Sequence, residues 1–419
     1  MIGTGVFTTL GFQLAGLSSP FAVLLLWVVG GVGAFCGALC YGELGALMPR
    51  SGGEYTYLSR IYHPALGFVS AWVSLVAGFA APIALAAMAL AEYAGALLPG
   101  LDKTFLAVAV ITVISIIHLI DVKLGCHFQN IFTVGKIFLI AGFIVAGAWV
   151  ADPQPLRLIP APADWSAVFS SAFAVSLVYV FYAYSGWNSA AYVAGEIRRA
   201  ERNLPLSLFL GTACVTLVYV LLNFIFLYTV PMNELAGKID VGFLSARAIF
   251  GPRGAALMTI LICLALISSL SSLIMVGPRV MQAMGEDLEG LGLLARKNAR
   301  GVPVCAVMLQ SGVAIVLTLT ATFNAVLTYV GFTLALFASL TVAGVIVLRL
   351  RQPLLFRPFR TWGYPLTPVV FLGLYGWMLV YLIVERPLPS GFGLLTLASG
   401  LLVHRLFSPR PAALPPPNP

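Results

Sequence analysis

The stretch YAYSGWN, at residues 182–188, lies within a run from residue 165 to residue 195 that contains no Asp, Glu, Lys or Arg. A membrane-spanning helix needs about 20 mostly apolar residues, so this run is long enough to cross a bilayer. Glycine destabilises a helix by about 1 kcal/mol relative to alanine, and we expect a break near Gly186. A second glycine-rich stretch, IGTG at residues 2–5, opens the first uncharged run. Because unwound backbone at membrane depth is tolerated only where it is protein-buried or lines a cavity, both stretches point to an internal cavity.

The composition of the chain is that of a polytopic membrane protein. Of its 419 residues, 60% are hydrophobic and 9% are charged, whereas a soluble domain has about 25% charged residues. This excludes a soluble enzyme, a nucleic-acid-binding protein and a disordered chain. The apolar runs are continuous and lack the two-residue alternation of a membrane β-barrel, so we predict an all-α membrane protein.

The uncharged runs predict twelve helical segments, of which the first is too short to span a bilayer. These segments are 6–17, 21–48, 65–98, 104–121, 125–150, 166–196, 205–230, 254–285, 303–322, 325–349, 365–385 and 388–407.

The basic residues predict the orientation of these helices. Of the 23 Lys and Arg residues, 16 fall in one alternating set of loops and in the C-terminal tail, 6 fall in the other set, and Lys136 is left inside a helix. We call the first side, which carries Arg50, Arg198 and Arg279, the basic side. The positive-inside rule places it and both termini in the cytoplasm, as expected for a multi-pass protein of the cell (inner) membrane.

Interruptions at matching positions of two halves are typical of secondary transporters that contain an inverted repeat. Breaks in helices 1 and 6 therefore suggest five plus five helices, with repeats at 1–150 and 165–349. Two further helices at 363–407 and a disordered Pro-rich tail at 408–419 would follow. The alternative is that the glycines are only small-residue contacts between helices.

The two breaks have complementary chemistry. Free N–H groups at a helix N-terminus suit a carboxylate, which makes the stretch Ile2, Gly3, Thr4 and Gly5 the candidate carboxylate site. Carbonyls freed in helix 6 can accept hydrogen bonds from an ammonium group, so the pair fits an α-amino acid. Tyr182 and Trp187 could close over it as aromatic gates, or could simply pack in the core.

Lys136 is the most informative single residue. If its helix begins near Gly125, Lys136 lies about 16 Å into the helix, too deep for its side chain to reach the interface comfortably. It could be a fixed charge in a cation site, a proton carrier, or a structural residue that caps carbonyls of a neighbouring helix. Ser271 and Ser272 of helix 8, with Ser268 and Ser269, could supply hydroxyl groups near it, or could serve helix packing.

Few carboxylates are expected inside the membrane. Glu43, Glu92 and Glu196 lie near helix ends, and none lies in the broken segments, which favours a neutral amino acid over a polyamine or other dication. The six cysteines form neither a metal motif nor a disulfide framework. With no nucleophile–base set or phosphate loop, we expect neither a cofactor nor an enzyme.

Several stretches resemble the amino acid–polyamine–organocation (APC) superfamily of permeases, especially its L-type amino-acid transporter branch. They are IGTGVF (2–7), GALCYGELG (37–45), PRSGGEY (49–55), SGWN (185–188), GEI (195–197), NLP (203–205) and WGYP (362–365). They follow the family order over nearly the whole chain.

The resemblance implies a twelve-helix, LeuT-like transporter that works by alternating access, and with the lack of carboxylates in the breaks we expect its substrates to be neutral L-amino acids. It implies that Gly3, Thr4 and Gly5 bind the carboxylate, that Tyr182 is the aromatic gate, and that Ala183 and Ser185 supply backbone around the ammonium group. It also implies that Lys136 replaces a sodium ion, so that exchange or H⁺-linked uptake would be Na⁺-independent.

The resemblance also bears on partners and on the start of the chain. Residues 95–104 lack the cysteine that binds a heavy chain, so an amino acid and the lipid bilayer are the expected partners, without nucleic acid or a disulfide-linked heavy chain. Family members have a further half-helix before the IGTG stretch, so we expect half of helix 1 to be missing at Met1. This leaves a non-transporting sensor or partner subunit as the alternative function.

Overall fold

The structure, a computed structural model, describes residues 3–120, 122–150 and 152–407, with the side chains of residues 122–134, 287 and 289 excepted. Ile2 and the predicted disordered tail at 408–419 therefore lie outside the described residues. The described part is helical and contains no β-strand.

Nineteen α-helices follow one another along the described chain. They are α1 (Thr4–Thr8), α2 (Leu10–Leu14), α3 (Pro20–Leu47), α4 (Glu54–Ile61), α5 (Pro64–Val73), α6 (Ala81–Leu97), α7 (Lys103–Ile120), α8 (Val122–Ala148), α9 (Pro162–Val168), α10 (Ser171–Tyr184), α11 (Ser189–Tyr192), α12 (Ala200–Thr229), α13 (Met232–Leu235), α14 (Val241–Asp287), α15 (Gly292–Ala295), α16 (Val304–Thr320), α17 (Phe323–Arg351), α18 (Leu366–Glu385) and α19 (Pro387–Phe407).

The predicted all-α membrane class is confirmed. Within the described ranges, eight helices are long and apolar enough to cross a membrane, and the pair α9–α10, bent by 63°, makes nine if it counts as one span. Helices α3, α7, α17, α18 and α19 begin and end within two residues of their predicted bounds. The protein is thus a multi-pass membrane protein.

Three features differ from the sequence prediction. Residues 54–61, expected in a loop, form α4. The helix predicted at 254–285 already begins at Val241, because it joins a short helix across a kink where Gly251 adopts φ 68° and ψ −175°. Residues Ser74–Ala80 form a π-helical stretch between α5 and α6, a conformation frequently found at functional sites.

A buried ion-pair cluster braces the basic side of the bundle. Glu43 at the end of α3 is 1% exposed; it accepts hydrogen bonds from Arg349 Nη2 of α17 at 2.6 Å and from the Thr361 N–H at 2.7 Å. Arg357 Nε lies 3.2 Å from the same carboxylate. Because each charge is paired and hydrogen-bonded, the cluster can hold α3, α17 and the chain before α18 together despite its burial.

Candidate functional site

A cavity of about 470 Å³ lies where α1 begins and α10 ends. Small-molecule sites typically measure roughly 300–1,000 Å³, so its volume suits a small ligand. Its lining combines both predicted breaks with side chains from other helices.

The break in helix 6 forms at the predicted stretch. Helix α10 ends at Tyr184, residues 185–188 form turns, and α11 begins at Ser189. Gly186 has φ 90°, a left-handed conformation that favours glycine. The Ser185 N–H donates to the Tyr182 carbonyl at 2.9 Å, a tighter turn than the helix would make. Ser185, Gly186 and Asn188 line the cavity beside this turn.

Helix α1 presents its N-terminal turn to the same cavity, which Gly3, Thr4 and Gly5 line. Gly3 is the N-cap, with φ −149° and ψ −145°, and the N–H groups of the following first turn have no acceptor within the helix. A Cβ atom on Gly5 would lie 2.4 Å from the Ala183 Cα, so only glycine permits this approach of α1 to α10. The Ala183 carbonyl accepts a hydrogen bond from the Tyr219 hydroxyl at 3.2 Å, which leaves its second lone pair for a ligand.

Two hydrogen-bonded contacts fix α1 and α2 against the bundle. The Tyr93 hydroxyl of α6 donates to the Phe7 carbonyl at 2.8 Å and accepts from the Gly242 N–H at 3.1 Å. Trp27 Nε1 of α3 donates to Gln13 Oε1 at 2.9 Å. These buried polar groups therefore determine where the first turn of α1 points.

Lys136 is 6% exposed and lines the cavity. Its Nζ donates to Ser269 Oγ at 2.8 Å. Ser272 lines the cavity beside it, whereas Ser271 lies within 2.8 Å of His118 Nε2 on another side of α14. Among the described residues no carboxylate pairs with Lys136, so the ammonium group contributes an uncompensated positive charge to the cavity.

The two aromatic candidates have different surroundings. Tyr182 is buried and lines the cavity at the end of α10. Trp187 also reaches the cavity, but its ring packs edge-on against Tyr41, with the ring centroids 4.7 Å apart, and against Phe371 at 6.3 Å. One side of the Trp187 ring thus packs against the side chains of α3 and α18.

Glu54 is a cavity residue that the sequence prediction missed. It is 3% exposed, it lines the cavity, and it accepts hydrogen bonds from Tyr41 at 2.5 Å, Asn188 Nδ2 at 3.2 Å and Tyr192 at 3.3 Å. No carboxylate lies in the two broken stretches, but Glu54 reaches the cavity from α4, whose residues were expected to form a loop. Burial raises the pKa of the Glu54 carboxyl, against the opposing effect of its hydrogen bonds.

The π-helical stretch was also not predicted. Its Gly78 and Phe79, followed by Pro82 of α6, line the cavity. The extra residue in a π-turn shifts side chains around the helix axis, so an apolar run with ordinary helical periodicity does not reveal it. No group of His, Cys, Asp and Glu suited to a metal ion occurs in the part of the chain that the structure describes.

Known proteins resemble the chain over nearly its full length. The family model described as amino acid permease matches residues 1–398. The human b(0,+)-type amino acid transporter 1 is 27% identical over 416 residues, which cover 97% of this chain and 85% of the relative. The mouse Asc-type amino acid transporter 1 is 26% identical, and the mouse large neutral amino acids transporter small subunit 2 is 27% identical, each over 97% of this chain and 78% of the relative. This family consists of transporters and not of enzymes, as the sequence predicted, and the chain belongs to the amino acid permease family.

Proposed function

We propose that this protein is a Na⁺-independent secondary transporter of neutral L-amino acids that works by exchange or H⁺-linked uptake. The observation that carries the proposal is the meeting of the first turn of α1 and the break after α10 in one cavity. The substrate carboxylate binds the N–H groups of Thr4 and Gly5, and its ammonium group binds carbonyls around Ala183 and Ser185. The cavity volume of about 470 Å³ leaves room for a side chain.

A neutral side chain is supported by the charges around the cavity. Glu54 already accepts three hydrogen bonds from protein groups, so its carboxylate is occupied and does not need a cationic substrate. Lys136 disfavours a second positive charge, because like charges in a dry site repel. One relative is named for large neutral amino acids, which agrees with this preference.

Lys136 supports the Na⁺-independence of the proposed cycle. A buried ammonium group that donates to Ser269 supplies the positive charge that a bound sodium ion would supply. Transport then needs no sodium, and the cycle moves the substrate by rocking one group of helices against another. We place the basic side and both termini in the cytoplasm of the cell, and we propose that no disulfide-linked heavy chain is needed, since residues 95–104 contain no cysteine.

Uptake into proteoliposomes tests the proposal. The purified full chain, in vesicles loaded with unlabelled amino acid, should accumulate labelled neutral amino acids equally well with sodium or choline outside, and should move lysine and glutamate poorly. Uptake that occurs only into preloaded vesicles identifies exchange, and uptake driven by an inward proton gradient into empty vesicles identifies H⁺ coupling. Strict sodium dependence, or no uptake of any amino acid, would contradict the proposal; the second result would favour a sensor.

A further inference from the structure

The part of helix 6 beyond the break, residues 189–196, is tied to the chain around the start of α4 by three hydrogen bonds, and Asn188 at the end of the break adds a fourth. We call residues 189–196 the inner segment. Two bonds involve backbone: the Gly52 N–H donates to the Tyr192 carbonyl at 3.1 Å, and the Gly195 N–H donates to Ser51 Oγ at 3.2 Å. The other two are the bonds from Asn188 and Tyr192 to the Glu54 carboxylate.

These bonds lie between two cavities. Glu54, Asn188 and Tyr192 line the cavity at the break, whereas Ser51 and Gly195 line a second cavity of about 580 Å³. The second cavity carries Arg50, Arg279 and Lys297 from the basic side, and we call it the vestibule. A substrate that leaves the first cavity through the vestibule therefore passes the inner segment.

Helix α4 is fixed to another wall of the first cavity. The Tyr62 hydroxyl, at the end of α4, donates to the Leu340 carbonyl of α17 at 2.9 Å, and Arg351 Nη1 donates to the Ile61 carbonyl at 3.3 Å. Helix α17 lines the same cavity through Gly331 and Leu334. The hydrogen bonds of Glu54 thus join the inner segment to α4, which is itself bonded to α17.

We propose that Glu54 is a positioning residue of a gate: its carboxyl group accepts hydrogen bonds from Asn188 and Tyr192, holds the inner segment against α4 and so separates the substrate cavity from the vestibule. This inference rests on the proposed transport function, and it adds a gating residue outside the two breaks. Glu54 does not contact the substrate in this account; it acts through Asn188 and Tyr192.

The surroundings of Glu54 make the gate depend on pH. The groups that face it are Tyr41 from α3, Asn188 and Tyr192 from helix 6, and, further off, Tyr57 of α4 and Tyr375 of α18. No Lys, Arg or His among the described residues forms an ion pair with it. Burial therefore raises its pKa in the closed gate above the value of an exposed carboxyl. By linkage, the closed gate binds a proton more tightly, so acid favours closure and rising pH favours opening.

Hydrogen exchange at the Gly52 and Gly195 amides reports whether the gate is open or closed, and the measurement needs no substrate. In the full-length wild type, protection of both amides, corrected for intrinsic exchange, should fall as the pH rises through the pKa of Glu54. Glu54→Gln keeps the shape without the charge and should remove this pH dependence. Glu54→Ala removes the acceptor of the bonds from Asn188 and Tyr192 and should raise exchange roughly tenfold or more, because two buried hydrogen bonds are lost together. Tyr192→Phe removes only one donor to Glu54 and should raise amide exchange less than Glu54→Ala does.

The matched control is Glu92→Gln, because Glu92 pairs with Lys103 at 2.8 Å on the side opposite to the basic side and is partly exposed. It should leave the exchange of both amides unchanged. The gate proposal is overturned if amide exchange is equal and independent of pH in the wild type, Glu54→Gln and Tyr192→Phe. This result can be obtained even if Glu54→Ala fails to fold. Uptake into proteoliposomes is measured on the same samples, and Glu54→Gln should show a flat pH profile. If the wild type moves no amino acid while both amides respond, the proposed function fails and the gate stands.

Discussion

Replacing Gly5 by alanine tests whether the close approach of α1 to α10 forms the substrate site. The new Cβ would lie 2.4 Å from Ala183 Cα and 2.8 Å from Ala183 Cβ, whereas ordinary contact begins near 3.4 Å. One helix must therefore move by about 1 Å. A hydrogen bond of about 2.9 Å from the first turn of α1 to a substrate carboxylate would lengthen to about 3.9 Å and be lost.

Losing one hydrogen bond to a charged group costs about 1.5–3 kcal/mol, which corresponds to a rise of roughly 10- to 100-fold in the substrate concentration for half-maximal uptake. Overpacking adds about 1–3 kcal/mol of destabilisation, so thermal stability is measured in parallel. The control is Gly312→Ala in α16, where the new Cβ meets nothing within 4 Å. If folded Gly5→Ala saturates at the wild-type concentration, or if Gly312→Ala shows the same loss, the approach of α1 to α10 does not form the substrate site.

Three further substitutions test the charged groups and their partners. Lys136→Ala should abolish or uncouple transport while the protein still folds, measured as uptake per folded protein; unchanged kinetics would leave Lys136 a packing residue. Ser269→Ala removes one hydrogen bond to the charged Lys136 and should lower uptake by roughly 10- to 100-fold without abolishing it; a loss as complete as that of Lys136→Ala would contradict this expectation. Glu43→Gln breaks a buried pair with Arg349 and should lower the free energy of unfolding by about 3 kcal/mol, seen as a reduced melting temperature in detergent; wild-type stability would show that the cluster does not brace the bundle.

The helices were predictable because a bilayer imposes a length and a composition on every span. Runs without charge located α3, α17 and α19 closely, and the position of Gly186 predicted the break in helix 6. Helix α4 was not predictable in this way, because its residues are amphipathic and lie between two apolar runs. Glu54 lines the cavity only because the fold brings α4 next to the break in helix 6, and the local sequence does not show this contact.

The hydrogen-bond partner of Lys136 was also not predictable from the sequence. Four serines lie within residues 268–272, and successive helical residues point in directions about 100° apart. Any of them could have faced Lys136, because the rotation of α14 about its axis is set by packing and is not encoded locally. The structure places Ser269 on Lys136 and Ser271 on His118.

The most direct test of the substrate site is an experimental structure with bound L-selenomethionine, a neutral amino acid whose selenium is located by anomalous scattering. We expect one selenium peak inside the cavity, with the carboxylate of the ligand on the first turn of α1 at Gly3–Gly5 and its ammonium group beside Ala183 and Ser185. An empty cavity at a concentration that saturates uptake, or a peak at another place in the bundle, would contradict it.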